Sequence, residues 1–167
     1  MAKEPDLSVE QFAALLQGQD GKNGRLLGLD LGTKTIGLAI SNSRWTIASP
    51  IDTIRRKKFT LDVQQLLQWI EAEGVDGLVI GMPLNMDGSE GPRAQATRAF
   101  IRNLKPHCGL PVLYWDERLS SFAAEQSMLE ADMSRKKRDR KIDQIAAAII
   151  LQGCLDRLRQ LQDADNG

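Results

Sequence analysis

Apolar positions along this chain follow two periods, and the elements can be read from where one gives way to the other. From Arg25 to Ile40 the chain runs R-L-L-G-L-D-L-G-T-K-T-I-G-L-A-I. Leu26, Leu27 and Leu29 lead into Asp30, and Ile36, Leu38 and Ile40 then alternate with Gly37 and Ala39. This period of two predicts a pair of strands joined by a tight turn over residues 30–35. Trp45 to Ile54 predicts a third strand, with Pro50 marking an irregularity or a sheet edge. Leu61 to Ala72 carries apolar residues at helical spacing and ends at Gly74, a suitable helix C-cap. Leu78-Val79-Ile80-Gly81 is fully apolar, as in the buried strands of parallel sheets. Residues 82–92 hold two prolines and two glycines and predict a loop at that strand's carboxyl end. Ala94 to Leu104 predicts a second helix, Pro111 to Trp115 a second buried strand, and Ser121 to Glu130 a further helix capped by Ser120. Asp132 to Arg140 is highly charged and predicts a loop. The last helix is expected from about Ile142 to Leu161, with Ile142, Ile145, Ala146, Ile149, Leu155 and Leu158 on its buried side.

Strands alternating with helices after an opening meander predict a mixed α/β sheet covered on both faces. Upstream of it, Val9, Phe12, Ala13, Leu15 and Leu16 suit one short amphipathic helix, with Ser8 and Gln11 placed as a capping pair. Residues 17–24 read as a flexible connector. The expected organisation is a flexible N-terminal extension over 1–24, one domain over 25–161 and a polar tail over 162–167.

Composition narrows the function. The chain has 167 residues, 42% hydrophobic and 26% charged, and a formal net charge of zero, which suits a single domain with a full core. Any nucleic-acid contact must therefore come from local basic patches. Cys108 and Cys154 are the only cysteines and His107 the only histidine. That excludes a disulfide framework or a cysteine–histidine zinc cage, fits a reducing cytoplasm, and argues against histidine-based nucleophilic catalysis. The acidic N-terminus lacks a long apolar run, so neither a signal peptide nor a membrane span is expected.

Three acids stand where packing alone would place something else. Asp30 lies inside an apolar strand, where a carboxylate costs free energy unless it is paired, hydrogen-bonded or bound to a cation. Glu117 follows the strand containing Val112 and Leu113. Asp143 shares a helix face with Ala146, Ala147 and Ile150, a run of small residues that lets the helix approach the sheet. Each acid has a plainer role open to it. Asp30 could tie up turn amides, Asp143 could cap its helix, Glu117 could pair with Arg118, and Asp116 could be the inward acid instead. Together they point to divalent cations, since three converging carboxylates repel one another unless cations sit between them. Two Mg²⁺ or Mn²⁺ ions about 3.5–4 Å apart are a known solution for in-line displacement at phosphorus. Lys34, Arg118 and the basic run that includes Arg135, Lys136, Lys137 and Lys141 are candidate phosphate contacts. The Arg55-to-Lys58 run reads first as a solvated loop.

Four segments, G-L-D-L-G-T-K-T-I-G-L-A (28–39), V-I-G-M-P-L-N-M-D-G (79–88), W-D-E-R-L-S-S (115–121) and K-I-D-Q-I-A-A-A-I-I-L-Q (141–152), resemble the YqgF/RuvX family. The resemblance spans about Arg25 to Arg159. It implies a ribonuclease-H-like fold around a central five-stranded mixed sheet flanked by helices. It also implies a nuclease acting on the 5′ region of precursor 16S rRNA or on branched DNA, with the family's acids falling on Asp30, Glu117 and Asp143. Junction cutting needs two paired active sites and so allows a homodimer. Two positions depart from the family pattern: Thr35 stands where a basic residue is usual, and Ser120 where threonine is common. Two other classes compete. L-D-L-G-T-K-T resembles the first phosphate loop of actin-like and sugar-kinase proteins, but the second loop and second domain they need are missing. A non-catalytic nucleic-acid-binding module would have no use for three converging acids. A P-loop fails because Thr33 stands where glycine is required and a strand follows.

Overall fold

The structure, a computed structural model, describes residues 6–16, 24–119 and 135–166. The helix expected over Ser121 to Glu130 and its cap lie outside the described residues, as does most of the connector after residue 16.

Five strands form one sheet in the order β3-β2-β1-β4-β5. β1 (Arg25–Leu31), β2 (Thr35–Ser41) and β3 (Ala48–Arg55) form an antiparallel meander, whereas β4 (Val75–Met82) and β5 (Val112–Asp116) run parallel to β1. Pro50 sits on β3, the edge strand, where the β2–β3 register shifts, as its missing N–H requires. The parallel connections carry α2 (Phe59–Glu73), closed by Gly74 at φ 62°, and α3 (Pro92–Cys108), closed by Gly109 at φ 64°.

The pleat sorts side chains onto two faces. Leu27, Leu29, Leu31, Ile36, Leu38 and Ile40 pack with α2 and α3. Leu26, Ala39, Val79, Leu113 and Trp115 pack with α1 (Val9–Leu16) and the final helix, α4 (Arg135–Asn166). Gln152 on α4 fixes that helix lengthwise. Its amide donates to the Thr46 carbonyl at 3.0 Å, and its Oε1 accepts from the Ala48 amide at 2.9 Å.

Three expectations change. α4 begins at Arg135, so the charged run expected as a loop from Asp132 is helical from that residue on, and the helix continues to Asn166, past the expected end near Leu161. Arg and Lys are good helix formers, and a long helix propagates through them at little cost. The buried stripe of α4 is Ala146, Ala147, Ile150, Leu151, Cys154, Leu155 and Leu158, while Ile142, Ile145 and Ile149 are only half-buried. Finally, the N-terminal extension contributes to the core. Ser8 and Gln11 form the expected capping box, with amide-to-side-chain bonds of 2.9 and 3.1 Å, and Phe12 is fully buried on the α4 side of the sheet.

Candidate active site

The site is built over three adjacent strands at the sheet's carboxyl end. Asp30 shares a β1 face with Gly28, opposite the leucines that enter the α2–α3 core. Its partner across β2 is Gly37. A Cβ added to Gly37 would lie 1.9 Å from the backbone oxygen of Asp143, so α4 rests directly on that glycine at Asp143. On the other side, the pairing of Leu29 with Ile80 places Gly81 beside Asp30. A Cβ on Gly81 would come within 2.5 Å of both Glu117 Oε1 and Ile150 Cδ1. Two glycines therefore flank Asp30. One makes room for Asp143 and the other for Glu117.

Asp30 feels both of the other acids. Burial, then the Glu117 and Asp143 carboxylates, push the Asp30 carboxyl up to about 7, against a downward pull from Arg93. Burial also raises Glu117, with Arg93 opposing and Asp116 adding to the rise. Asp143 is held by Thr35, whose hydroxyl donates to Oδ2 at 2.6 Å. Thr35, the departure from the family's basic residue, thus orients one of the acids.

Asp116 has a different task. Its Oδ1 accepts the Arg118 amide at 3.0 Å, and its carboxylate takes the Arg118 guanidinium, with Nη2 at 2.7 Å from Oδ2. The Arg118 side-chain hydrogen bond holds the Asp116 carboxyl below its usual range. The amide bond turns β5 into a short 3₁₀ helix, Glu117–Leu119, and Glu117 folds back over Gly81. Arg118 also donates from Nη1 to the Met86 carbonyl at 3.2 Å. Its donors thus go first to protein groups.

Lys34 is exposed at the β1–β2 turn. That turn closes through the Gly32 amide and the Thr35 carbonyl at 2.8 Å, and Arg56 donates from Nη1 to the Gly32 carbonyl at 2.6 Å. Arg56, expected as part of a solvated run, braces the turn. The side chains of Arg135, Lys136, Lys137 and Lys141 lie outside the described residues, although their backbone belongs to α4.

Sequence reasoning missed Arg93, the cation acting on both Asp30 and Glu117. It is the second residue of α3, after Gly91 and Pro92. A first-turn cation on the helix that follows a buried parallel strand was the available signal, because ligands of open α/β sheets collect at that edge.

Among the described residues no three acids, histidines or cysteines form a ready-made metal cage. The donor set still fits Mg²⁺ or Mn²⁺: Asp30, Glu117 and Asp143 supply hard oxygens and mutually repelling charge. Mg²⁺ also keeps several waters and takes substrate oxygens instead of filling an all-protein cage.

The close fit at Gly37 gives a first prediction. Gly37→Ala drives a methyl into α4 backbone, and overpacking of this kind costs about 1–3 kcal/mol. A lowered melting temperature together with lost activity is expected, and an unchanged melt would show that α4 does not rest on Gly37.

The family model RuvX, described as Holliday junction resolvase, matches residues 24–157. A Rhodobacter capsulatus protein is 55% identical over 153 residues, covering 92% of this chain and 94% of its own. A Rhizobium etli protein is 54% identical over 160 residues, covering 95% and 94%. Both bear the name "Putative pre-16S rRNA nuclease". The 95% coverage reaches into the N-terminal extension that the family model leaves out. Among solved structures, Thermus thermophilus RuvC in complex with Holliday junction substrate aligns with a TM-score of 0.54 at 12% identity, covering 81% of this chain and 96% of that one. The yeast mitochondrial Holliday junction resolvase aligns with a TM-score of 0.54 at 13% identity, covering 94% and 88%. These two share the fold, a ribonuclease-H-like sheet with flanking helices. By its match over residues 24–157 and its identity to these relatives, the chain belongs to the RuvX family of nucleases.

Proposed function

We propose that this protein is a divalent-metal-dependent nuclease that hydrolyses phosphodiester bonds in structured nucleic acid, with the 5′ region of precursor 16S rRNA as its substrate in the cytoplasm. The observation that carries this reading is the placing of Glu117, from the turn after β5, and Asp143, from α4, around a buried Asp30 on β1, where burial first and then those two carboxylates push Asp30 up to about 7. A packing core has no use for such a cluster; a cation site does.

Asp30, Glu117 and Asp143 would hold two Mg²⁺ or Mn²⁺ ions in this reading. When bound, the ions supply the attacking water and offset charge on the phosphate and the leaving oxygen. Asp30 would hold an ion in its deprotonated form. Thr35 keeps Asp143 turned toward the sheet, and Arg93 and Lys34 offer positive charge to the incoming phosphate. Arg118 shares its guanidinium with Asp116. Arg135, Lys136, Lys137 and Lys141, whose backbone belongs to the first turns of α4, would contact further phosphates of the substrate.

Branched DNA is the second reading, favoured by the family model's description, and it brings with it a homodimer with two active sites. Cleavage of precursor 16S rRNA and of a four-way DNA junction, each with Mg²⁺, Mn²⁺ or chelator, tests both. Metal-dependent cutting of the rRNA precursor is expected. Symmetric nicks in the junction by a dimer would transfer the assignment to DNA. ATP turnover without strand cleavage would return the chain to the phosphate-loop class.

The basic turns give a separate prediction. Neutralising Arg135, Lys136 and Lys137 should weaken binding alike for all sequences. It should also flatten the log–log salt dependence by about 0.7–0.9 per lost phosphate contact. An unchanged slope would remove these residues from the interface.

A further inference from the structure

The loop between β4 and α3 is a firmly built turn that displays an apolar side chain. The Gly88 amide donates to the Asn85 carbonyl at 2.8 Å and the Asn85 amide to the Ser89 carbonyl at 2.9 Å. Gly88 takes φ 87°, which a side chain would resist. Asp87 is occupied inside the loop, accepting from the Ser89 amide at 2.9 Å and the Ser89 hydroxyl at 2.6 Å. Yet Met86, at the tip, is 93% exposed, the highest value among the large apolar side chains of the described residues. Packing does not require such a turn to present a methionine to solvent.

A second apolar side chain stands on the neighbouring segment. Leu119 is 69% exposed and ends the 3₁₀ helix that begins with Glu117. Arg118 joins the two segments through its bond to the Met86 carbonyl. Met86 and Leu119 thus stand on two linked segments that border the acid cluster, with Arg93 and Arg118 supplying positive charge nearby.

We propose that Met86 and Leu119 form an apolar rim that receives the face of an unpaired nucleobase beside the scissile phosphate. The proposal rests on the nuclease reading and names what that site selects, a strand with an unstacked nucleotide next to the cut. Leu119 follows Glu117 by two residues on the same 3₁₀ turn and Met86 is tied to that turn through Arg118, so a strand delivering a phosphate to Asp30 would carry its adjacent base toward both. Apolar side chains of this kind, Met and Leu among them, wedge against base steps, and a thioether makes favourable contact with an aromatic ring. A paired, stacked base keeps its faces covered and gains nothing from the rim.

The test is binding, not cleavage. Full-length Asp30→Asn protein is titrated with 2-aminopurine-labelled oligonucleotides, as RNA and as DNA. The label sits at an unpaired position in one member of each pair and within perfect duplex in the other. The unpaired label should change fluorescence on binding. Met86→Ser with Leu119→Ser in the same background should abolish that change and weaken affinity for the unpaired oligonucleotide about tenfold. Affinity for the duplex should stay within about twofold. Both residues are exposed, so the fold is expected to survive, and a thermal melt verifies this. Equal losses on both oligonucleotides, or no loss on either, overturn the rim while leaving the nuclease reading intact. Loss of self-association on sedimentation, with nucleic-acid binding unchanged, overturns it in favour of a contact with a second copy. Failure of the parent protein to bind any oligonucleotide overturns the nuclease reading and the rim with it.

Discussion

Asp30→Asn, Glu117→Gln and Asp143→Asn are each expected to lower strand cleavage by about a thousandfold, the scale on which removing one transition-state stabiliser acts. Each change keeps the side chain's size and removes a charge. Glu117 and Asp143 each act on Asp30, and in the proposed site all three serve the same ions, so their losses should not add: double variants are expected to fall little below the singles. Asp116→Asn is the informative comparison. Asn still accepts the Arg118 amide and so preserves the turn that aims Glu117, and this variant should keep much more activity. Single-turnover cleavage rates for the set, beside circular dichroism to confirm folding, give the answer. Full activity in Glu117→Gln, with loss in Asp116→Asn, would exchange the roles of the two acids.

The uncertainty between those two acids shows where sequence reasoning stops. Along β1 the alternation of leucines settles which way Asp30 faces, because seven residues of strand repeat the pattern. At the end of β5 the alternation fails. Asp116 is the last strand residue and Glu117 the first of a 3₁₀ turn, so the pleat no longer dictates direction. A local hydrogen bond from the Arg118 amide to Asp116 decides it instead. That bond depends on backbone geometry that neighbouring residue types leave open.

The phase of α4 was legible in its small residues and obscured by its large ones. Hydrophobicity favours a stripe through Ile142, Ile145 and Ile149. The helix instead buries Ala146 and Ala147 beside Gly28 and Gly37, where small side chains permit backbone contact: a Cβ on Gly28 would come within 2.9 Å of the Ala147 carbonyl oxygen. Close approach carries Asp143 to the sheet, and burying the larger isoleucines would hold the helix away. The spacing of Asp143, Ala146, Ala147 and Ile150 contained this information; summed hydrophobicity concealed it. Arg93 stayed hidden because its role is electrostatic and long-range in sequence, reaching Asp30 on β1 and Glu117 after β5. In the N-terminal extension, the capping pair at Ser8 and Gln11 was legible, but the burial of Phe12 depends on a socket assembled by β4, β5 and α4.

Asp30 also makes the metal-free protein sensitive to pH, and Asp30→Asn should relieve it. The folded carboxyl titrates near 7 and the unfolded one near 3.8. Between those values the folded state holds a proton that the unfolded state has released, so stability falls as pH rises through this window. Below about pH 4 both states are protonated, and wild type and Asp30→Asn should melt alike, since Asn resembles the neutral acid. At about pH 8 the mutant should be more stable, by about 2–4 kcal/mol, which corresponds to a rise of several degrees in melting temperature. Mn²⁺ should narrow that gap. An ion bound by the folded site adds about 2.7 kcal/mol at a hundredfold excess over its dissociation constant, and it replaces the proton on Asp30, so its affinity should climb with pH until about 7 is passed. Asp30→Asn lacks this ligand and should gain little. Thermal melts of both proteins across pH, with and without Mn²⁺, separate the cases. Parallel shifts in the two proteins, or a metal-free mutant that melts lower at pH 8, would make Asp30 a structural residue and leave the cation site without its central ligand.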